Sequence, residues 1–488
     1  MTKNDIDDQK NKRLCYHCID EQYLQAEVKR NGKRRKCSFC GRITQSYTIE
    51  DMAVRIESAF DQHYRRTSDQ PDFWQQLSLS DRESDCEWER DGEPVVTAIA
   101  NAAIIPEEAA TDIQAILEAK YFDFESATMG EETKFSSDSY YEEKNPSDEA
   151  WQEDWSNFEN SLKTEARFFS RSMSKHLETI FRGIDTLSTT DGRPVVINAG
   201  PETDIKALFR ARVFQSDEKL KESLCRPDLH IGPPPAVLAV AGRMNAHGIS
   251  VFYGSNDQRV AIAEVRPPVG SQVVVGRFDF IRQLRLLDLT ALSSVMEKGS
   301  IFDSGWSSRL ERASFLRSLI WRLTQPVMPD YEAFEYLPTQ VIADFLANEN
   351  APMVDGIIFQ AIQAAGDGLN IVLFHKAALV ESMTTTKGSK IEAKKGYFSE
   401  DGWEIEYSVT EHIPSEKSSE NKNNAAKLPF FQVFDGEKPQ HQGADLRDVT
   451  LRVDIKSIQV HIMRSVQYQY ESYEVQRHQL ERNSVDIF

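Results

Sequence analysis

The sequence predicts an α+β protein in which a small cysteine-bearing module and a long helical stretch precede a sheet-forming half. Three observations carry this. Four of the six cysteines fall within residues 15–40. Apolar residues then recur at helical spacing from residue 48 to about 190. After Gly192 short β-branched runs replace that spacing. The chain has 488 residues, too many for one ordinary domain. The expected divisions are 1–48, 49–190, 191–382 and 383–488, the last completing the sheet of the third.

Composition narrows the function classes. A net charge of -20 argues against nucleic-acid or anionic-membrane binding by the whole molecule, while leaving room for a local basic patch. No apolar run approaches the roughly 20 residues that cross a bilayer. The polar N-terminus lacks the apolar segment of a secretory signal. A cytoplasmic location is therefore expected, with no membrane partner. In a reducing compartment, clustered cysteines point to metal rather than disulfides.

Taken in order, Thr48 and Asp51 form a capping-box pattern, and Ile49, Met52, Ala53, Ile56 and Phe60 share one helical face. A second helix is expected after Pro106, and residues 125–150 read as an exposed acidic loop. Trp151, Trp155, Phe158 and Leu162 open a further helical region, continued by Phe169, Met173, Leu177, Phe181 and Ile184. Strands are expected at 194–197, 208–214, 249–253, 261–265, 273–278, 356–359 and 370–374, with helices at 308–324 and 339–347. Residues 383–428 read as polar surface loops, and 451–462 and 466–474 alternate like strands.

Cys15, Cys18, Cys37 and Cys40 form a C-x2-C pair of pairs. Each pair puts two thiolates on one tight turn, and two turns complete a tetrahedral S4 shell suited to structural zinc. Lys29, Arg30, Lys33, Arg34, Arg35 and Lys36 lie between the pairs. They suit a solvated hairpin tip better than a nucleic-acid or acidic-partner contact. Arg171 and His176 match the R-x4-H spacing of HEPN ribonucleases, a weak signal in a chain with ten histidines.

The sheet-forming half holds a more telling constellation. Arg210 stands in 208–212, Arg243 and Asn245 follow Gly242, Tyr253 ends a β-branched run, and Glu264 interrupts the apolar Ala261–Val265. An arginine fork grips a pyrophosphate. A tyrosine can stack on a nicotinamide ring. A carboxylate can stabilise the oxocarbenium-like charge that builds when a leaving group departs a ribosyl carbon. The bland reading, an Arg210–Glu264 structural bridge with Tyr253 in the core, fits the spacing equally well.

These segments, from about 204 to 374, resemble the RES-domain family. The shared elements are the Gly242-Arg-x-Asn245 turn, the aromatic-Tyr253 strand end, the Ala261-x-x-Glu264 run, and the Asp355-Gly-Ile stretch before Asn370. The resemblance implies an ADP-ribosyltransferase-like fold and NAD as substrate, cleaved at the nicotinamide ribose by hydrolysis or phosphorolysis. A rival activity is ADP-ribosylation of a protein. The implied role is a growth-arresting toxin or antiphage effector. Arg243, Tyr253 and Glu264 match the family's active-site positions, and Arg210 and Asn245 would contact the substrate. The helical region resembles the HEPN-like N-terminal part of long RES proteins. Implied partners are an antitoxin, a defence-system protein or a second copy, although the extra regions of a long form could do an antitoxin's work. One departure stands out: the family's serine position holds Ala361. Three readings stay open: activity without the hydroxyl, an inactive member, or a substitution that spares the host. A catalytically dead binding module built on the ribbon is the rival of another class.

Overall fold

The computed structural model describes residues 3–73, 75–76, 88–165, 170–363, 368–414, 445, 447–467 and 470–479. Phe169, Cys86 and all of 415–428 therefore lie outside the described residues. The chain divides into two compact units. The first comprises Met1–Val196, Asp288–Phe345 and Glu349–Pro352; the second comprises Ile197–Leu287, Leu346–Asn348 and Met353–Phe488.

The first unit begins with helix α1 (Lys3–Asn11), then strand β1 (Arg13–Cys15), helix α2 (Gln22–Asn31) and strands β2 (Lys33–Lys36) and β3 (Ile43–Thr48). The strands form a three-stranded sheet in the order β1-β3-β2. Helix α3 (Ile49–His63) starts as expected: Thr48 and Asp51 close a reciprocal capping box. Helices α4 (Val95–Ala103) and α5 (Glu107–Tyr121) follow. Leu14, Ile19, Leu24 and Val28 of the cysteine-bearing segment share one buried core with Met52, Ile56, Phe60, Ile99 and Ile113 of these helices. Lys12 is tied to the buried Asp112 of α5 at 2.8 Å. The cysteine-bearing segment is thus packed into the helices that follow it.

The acidic stretch expected as a loop carries structure. It holds helix Phe124–Met129 and strand Tyr140–Glu143, and Phe135 is fully buried against Phe60 and Tyr141. Charge hid two aromatic anchors, Phe135 and Tyr141. Further on, α6 (Glu149–Thr164) and α7 (Arg171–Phe181) bury Trp155, Phe158, Leu162, Met173 and Leu177. Helix α8 (Trp306–Thr324) returns to them, stacking Phe315 on Trp151 at 5.7 Å. Arg312 of that helix donates to the carbonyls of Ile180 and Arg182.

The second unit is built on an eight-stranded sheet. In chain order its strands are β4 (Val196–Ala199), β5 (Ala207–Phe214), β6 (Phe252–Ser255), β7 (Gln272–Phe280), β8 (Leu284–Asp288), β9 (Gly356–Gln360), β10 (Leu369–Leu373) and β11 (Leu451–Ile462). Their spatial order is β11-β7-β5-β6-β10-β9-β8-β4. Helices and a mixed sheet together make the architecture α+β. Alternation along the strands sorts side chains to two faces. Leu208, Phe252, Val274, Ile358 and Ile371 build a core on one face. Ala211, Val273 and Val275 pack on the other against Ala261 of a short helix, α9 (Gln258–Glu264).

Three expectations need correction here. Residues 261–265 are not a strand but the end of α9, whose N-terminus is capped by the Asp257 carboxylate on the amides of Arg259 and Val260. The loop expected from 383 holds a hairpin, Lys390–Ser399 with Gly402–His412. Its strands are largely exposed, so alternation is faint. The described residues of 466–474 carry no strand. By contrast the strand expected at 451–462 is present over those same residues.

Candidate functional site

The turn holding Arg243 is locked from below. Gly242 and Asn245 exchange backbone hydrogen bonds, at 2.9 and 3.4 Å. The Tyr253 hydroxyl accepts from the Met244 amide at 3.1 Å and donates to Asn245 Oδ1 at 2.9 Å. Asn245 is 4% exposed, and its Nδ2 donates to the carbonyls of Val240, Ala246 and Ile249. Its carboxamide is thus committed to shaping the turn. Only glycine fits at 242: a Cβ there would lie 2.8 Å from both Asn245 Oδ1 and the Tyr253 hydroxyl. Arg243 is held at the tip of a rigid loop that a half-buried tyrosine fastens to β6.

Glu264 ends α9, half-buried, and accepts a 2.7 Å hydrogen bond from Asn370 Nδ2. Asn370 Oδ1 in turn accepts from Ser255 Oγ at 2.8 Å. Ser255 and Asn370 are directly paired across β6 and β10, and both are buried. This relay was not foreseen from the sequence. Its signal was present: a buried asparagine inside the apolar run 369–374, and a serine two residues beyond Tyr253.

Register places Tyr253, Ser255, Asn370 and Phe359 on the sheet face that carries α9. Ala361 extends that row. It is 4% exposed, its amide donates to the Gly368 carbonyl at 2.9 Å, and Gly368 lies against Val260 of α9. The structure therefore brings Tyr253, Glu264 and Ala361 to one face. Asp355 of the same motif serves the backbone, accepting from the Arg285 amide at 2.9 Å.

Arg210 is placed differently. It alternates with Leu208 and Arg212 on the opposite face, its guanidinium 5.0 Å above the Phe252 ring. Its Nη1 donates to the Tyr253 carbonyl at 3.0 Å. It can do so because β5 and β6 share a single registered pair, Ser255 with Phe209, whereas β5 pairs with β7 along its length. The sheet opens between β5 and β6, and Arg210 bridges the opening. Burial, with Arg212 nearby, pushes the Arg210 guanidinium down to about 10, still cationic at neutral pH. Glu264 and Arg210 thus bond to different partners. On the Arg210 side, a cavity of about 1270 Å³ is lined by Arg212, His230, Leu238, Ser250 and His375 among others, and by none of the sequence candidates.

In the first unit, the sulfurs of Cys15, Cys18, Cys37 and Cys40 all lie within 4.8 Å of one another. Neighbouring separations are 3.8, 3.5 and 3.9 Å. A tetrahedron with metal–sulfur bonds of about 2.3 Å has edges of about 3.8 Å, so the four thiols fit one ion. Burial pushes the Cys15 and Cys18 thiols up, while the Arg42 backbone amide holds Cys40 down to about 7. A bound cation would offset the cost of burying these thiolates. Four sulfurs fill the shell, leaving no position for a substrate water.

Arg171 and His176 do not form a site. Arg171 is exposed. The His176 ring packs 5.4 Å from Phe158 and 6.3 Å from Trp155, with Nε2 buried and unpartnered. Burial lowers its pKa.

No helix among the described residues is long and apolar enough to cross a membrane. No curated protein matches this chain, and no solved structure does. One family model matches, over residues 222–389, about a third of the chain. The match contains the Gly242–Asn245 turn, Tyr253, Glu264, Ala361 and Asn370, and begins after Arg210. It is the model of the RES domain, and the chain carries that domain at residues 222–389.

Proposed function

We propose that the second unit cleaves NAD at the bond between nicotinamide and ribose, and that the protein arrests growth as a toxin or antiphage effector. The observation that carries this reading is the Glu264 carboxylate, fixed by Asn370 on the same sheet face as Tyr253 within the RES domain. Arg243 would grip the pyrophosphate from its fastened turn. The Tyr253 ring would stack on nicotinamide. Glu264 would bind the ribose hydroxyls and stabilise the positive charge as the C1′–N bond breaks. Nicotinamide leaves neutral with the bond's electron pair; water or phosphate adds at C1′ and gives up a proton. Arg210 would brace β6 through the Tyr253 carbonyl. An ADP-ribosyltransferase-like fold, a HEPN-like helical region without nuclease activity, and zinc as the ion of the four cysteines belong to the same reading. His176 supports the second of these, since its ring serves packing.

Incubation of purified protein with NAD tests it. Free nicotinamide with no labelled protein is expected. ADP-ribose on a protein would instead indicate a transferase. Neither product, from this chain and from Ala361→Ser alike, would overturn the enzyme reading.

A further inference from the structure

We infer that the β2–β3 hairpin of the first unit is a docking surface for the sugar–phosphate backbone of a DNA duplex. All four side chains of β2, Lys33, Arg34, Arg35 and Lys36, are exposed. Residues 28–49 hold seven lysines and arginines, counting Lys29, Arg30 and Arg42, and no carboxylate. In a chain of 77 acidic and 57 basic residues that is a pronounced local inversion. Among the described residues none of these seven forms an ion pair, whereas Lys12, Arg55, Arg65, Arg90 and Lys120 of the same unit all do. The carboxylates that flank this stretch are engaged elsewhere: Glu27 accepts from Tyr47 and Arg55, Glu50 pairs with Lys10, and Asp51 closes the capping box of α3.

Geometry favours a duplex over an acidic protein. β2 is the edge strand of its sheet, so Lys33 and Arg35 project from one face and Arg34 and Lys36 from the other. Beyond Ser46, where β1 stops pairing, β2 and β3 run on as a two-stranded ribbon, and charges on both its faces suit the major groove of B-DNA, where phosphates stand on either side. Protein interfaces instead have an apolar, aromatic-rich centre, and β2 offers no apolar side chain. At about 8 Å screening length in physiological salt, the acidic remainder does not cancel the patch. The buried Leu14, Val28 and Tyr47 beneath anchor the hairpin rigidly.

The test is fluorescence anisotropy of the full chain with a 20-base-pair DNA duplex and an RNA duplex of the same sequence. Four phosphate contacts predict a slope near -3.6 in log K against log salt, hence about 150-fold weaker binding at 200 than at 50 mM salt. Arg34→Ala with Arg35→Ala should halve the slope, to about 12-fold over that range, and weaken binding at least tenfold at 100 mM. Unchanged metal content reports that the hairpin still folds. The DNA duplex should bind more tightly than the RNA duplex, whose deep, narrow major groove does not admit a ribbon, and tighter binding of RNA overturns the assignment. Lys390→Ala with Lys394→Ala, exposed lysines on the other hairpin, should change nothing. The inference is overturned if the two double variants weaken binding equally, if neither duplex binds, or if poly-glutamate binds more tightly than both.

Discussion

Replacing Asn370 with alanine probes the relay directly. Two bonds are lost: the 2.7 Å donation to Glu264 and the 2.8 Å acceptance from Ser255. A hydrogen bond to a charged group contributes about 1.5–3 kcal/mol. If the orientation of Glu264 matters only as charge develops at C1′, that energy is lost from the transition state. It corresponds to a kcat lower by about 10- to 150-fold with KM little changed. The buried Ser255 hydroxyl loses its acceptor too, so a stability loss of about 1–3 kcal/mol is expected in urea melts. Stability alone would not distinguish a positioning role from a structural one. The kinetic cycle does. In a Glu264→Gln background, Asn370→Ala should lower nicotinamide release no further, because the residue acts through the carboxylate. The assay is nicotinamide release under saturating NAD for wild type, both single variants and the double. An additive double variant, or a full-speed Asn370→Ala beside a dead Glu264→Gln, would refute the reasoning. Should the parent chain be too slow to measure, the same cycle runs in the Ala361→Ser background.

Ala361→Ser should raise NAD turnover at least about tenfold, the worth of one hydrogen bond in the transition state, and make expression toxic; NAD level in cells reads both. Unchanged turnover and growth would mean that this is not the family's serine position. Metal analysis should find about one zinc per chain, and Cys37→Ser should release it. Because Leu14, Ile19 and Val28 share their core with α3, α4 and α5, hydrogen exchange should then rise in those helices as well as in residues 3–48, leaving the sheet of the second unit protected. His63 is buried and His176 half-buried, and burial lowers the pKa of both. Below about pH 6.5 the unfolded chain takes up protons that the folded imidazoles refuse, so the first unit should lose stability as pH falls from 7 to 5. His176→Phe should flatten that slope in thermal melts, with His63 accounting for the remainder.

The parts of this fold that were legible in the sequence are those where one local rule acts alone. The capping box at Thr48 and Asp51 needs only neighbouring residues. The strand at Leu451–Ile462 alternates in two short runs, 451–455 and 458–462, that meet at a bulge opposite Val275–Arg277. The cysteines declare their geometry by spacing. Where two rules competed, the sequence was ambiguous. Ala261, Ile262 and Ala263 form a short apolar run that suits strand or helix equally. The deciding residue was Asp257, a helix cap standing outside the run. The acidic stretch around 135 hid the buried Phe135 and Tyr141 because composition averages over positions, whereas a core needs only a few.

The candidate site shows the same limit at the level of faces. Sequence spacing named Arg210, Arg243, Tyr253 and Glu264 but could not say which would meet. That depends on register between strands far apart in the chain. One registered pair between β5 and β6 sends Arg210 to the far side, where it holds a backbone carbonyl. The pairing of Ser255 with Asn370 is what reaches Glu264. Both residues are polar within apolar strands, and a buried polar group is costly unless it is bonded. That cost makes such positions stand out in the amino-acid sequence itself. The partner, however, stands 115 residues away for Ser255 and 106 for Glu264, and only the closed sheet supplies it. A polar residue in an apolar strand should therefore be read as half of a pair whose other half sits at the same depth on a neighbouring strand. Here, that reading leads from Asn370 to the carboxylate on which the proposed chemistry turns.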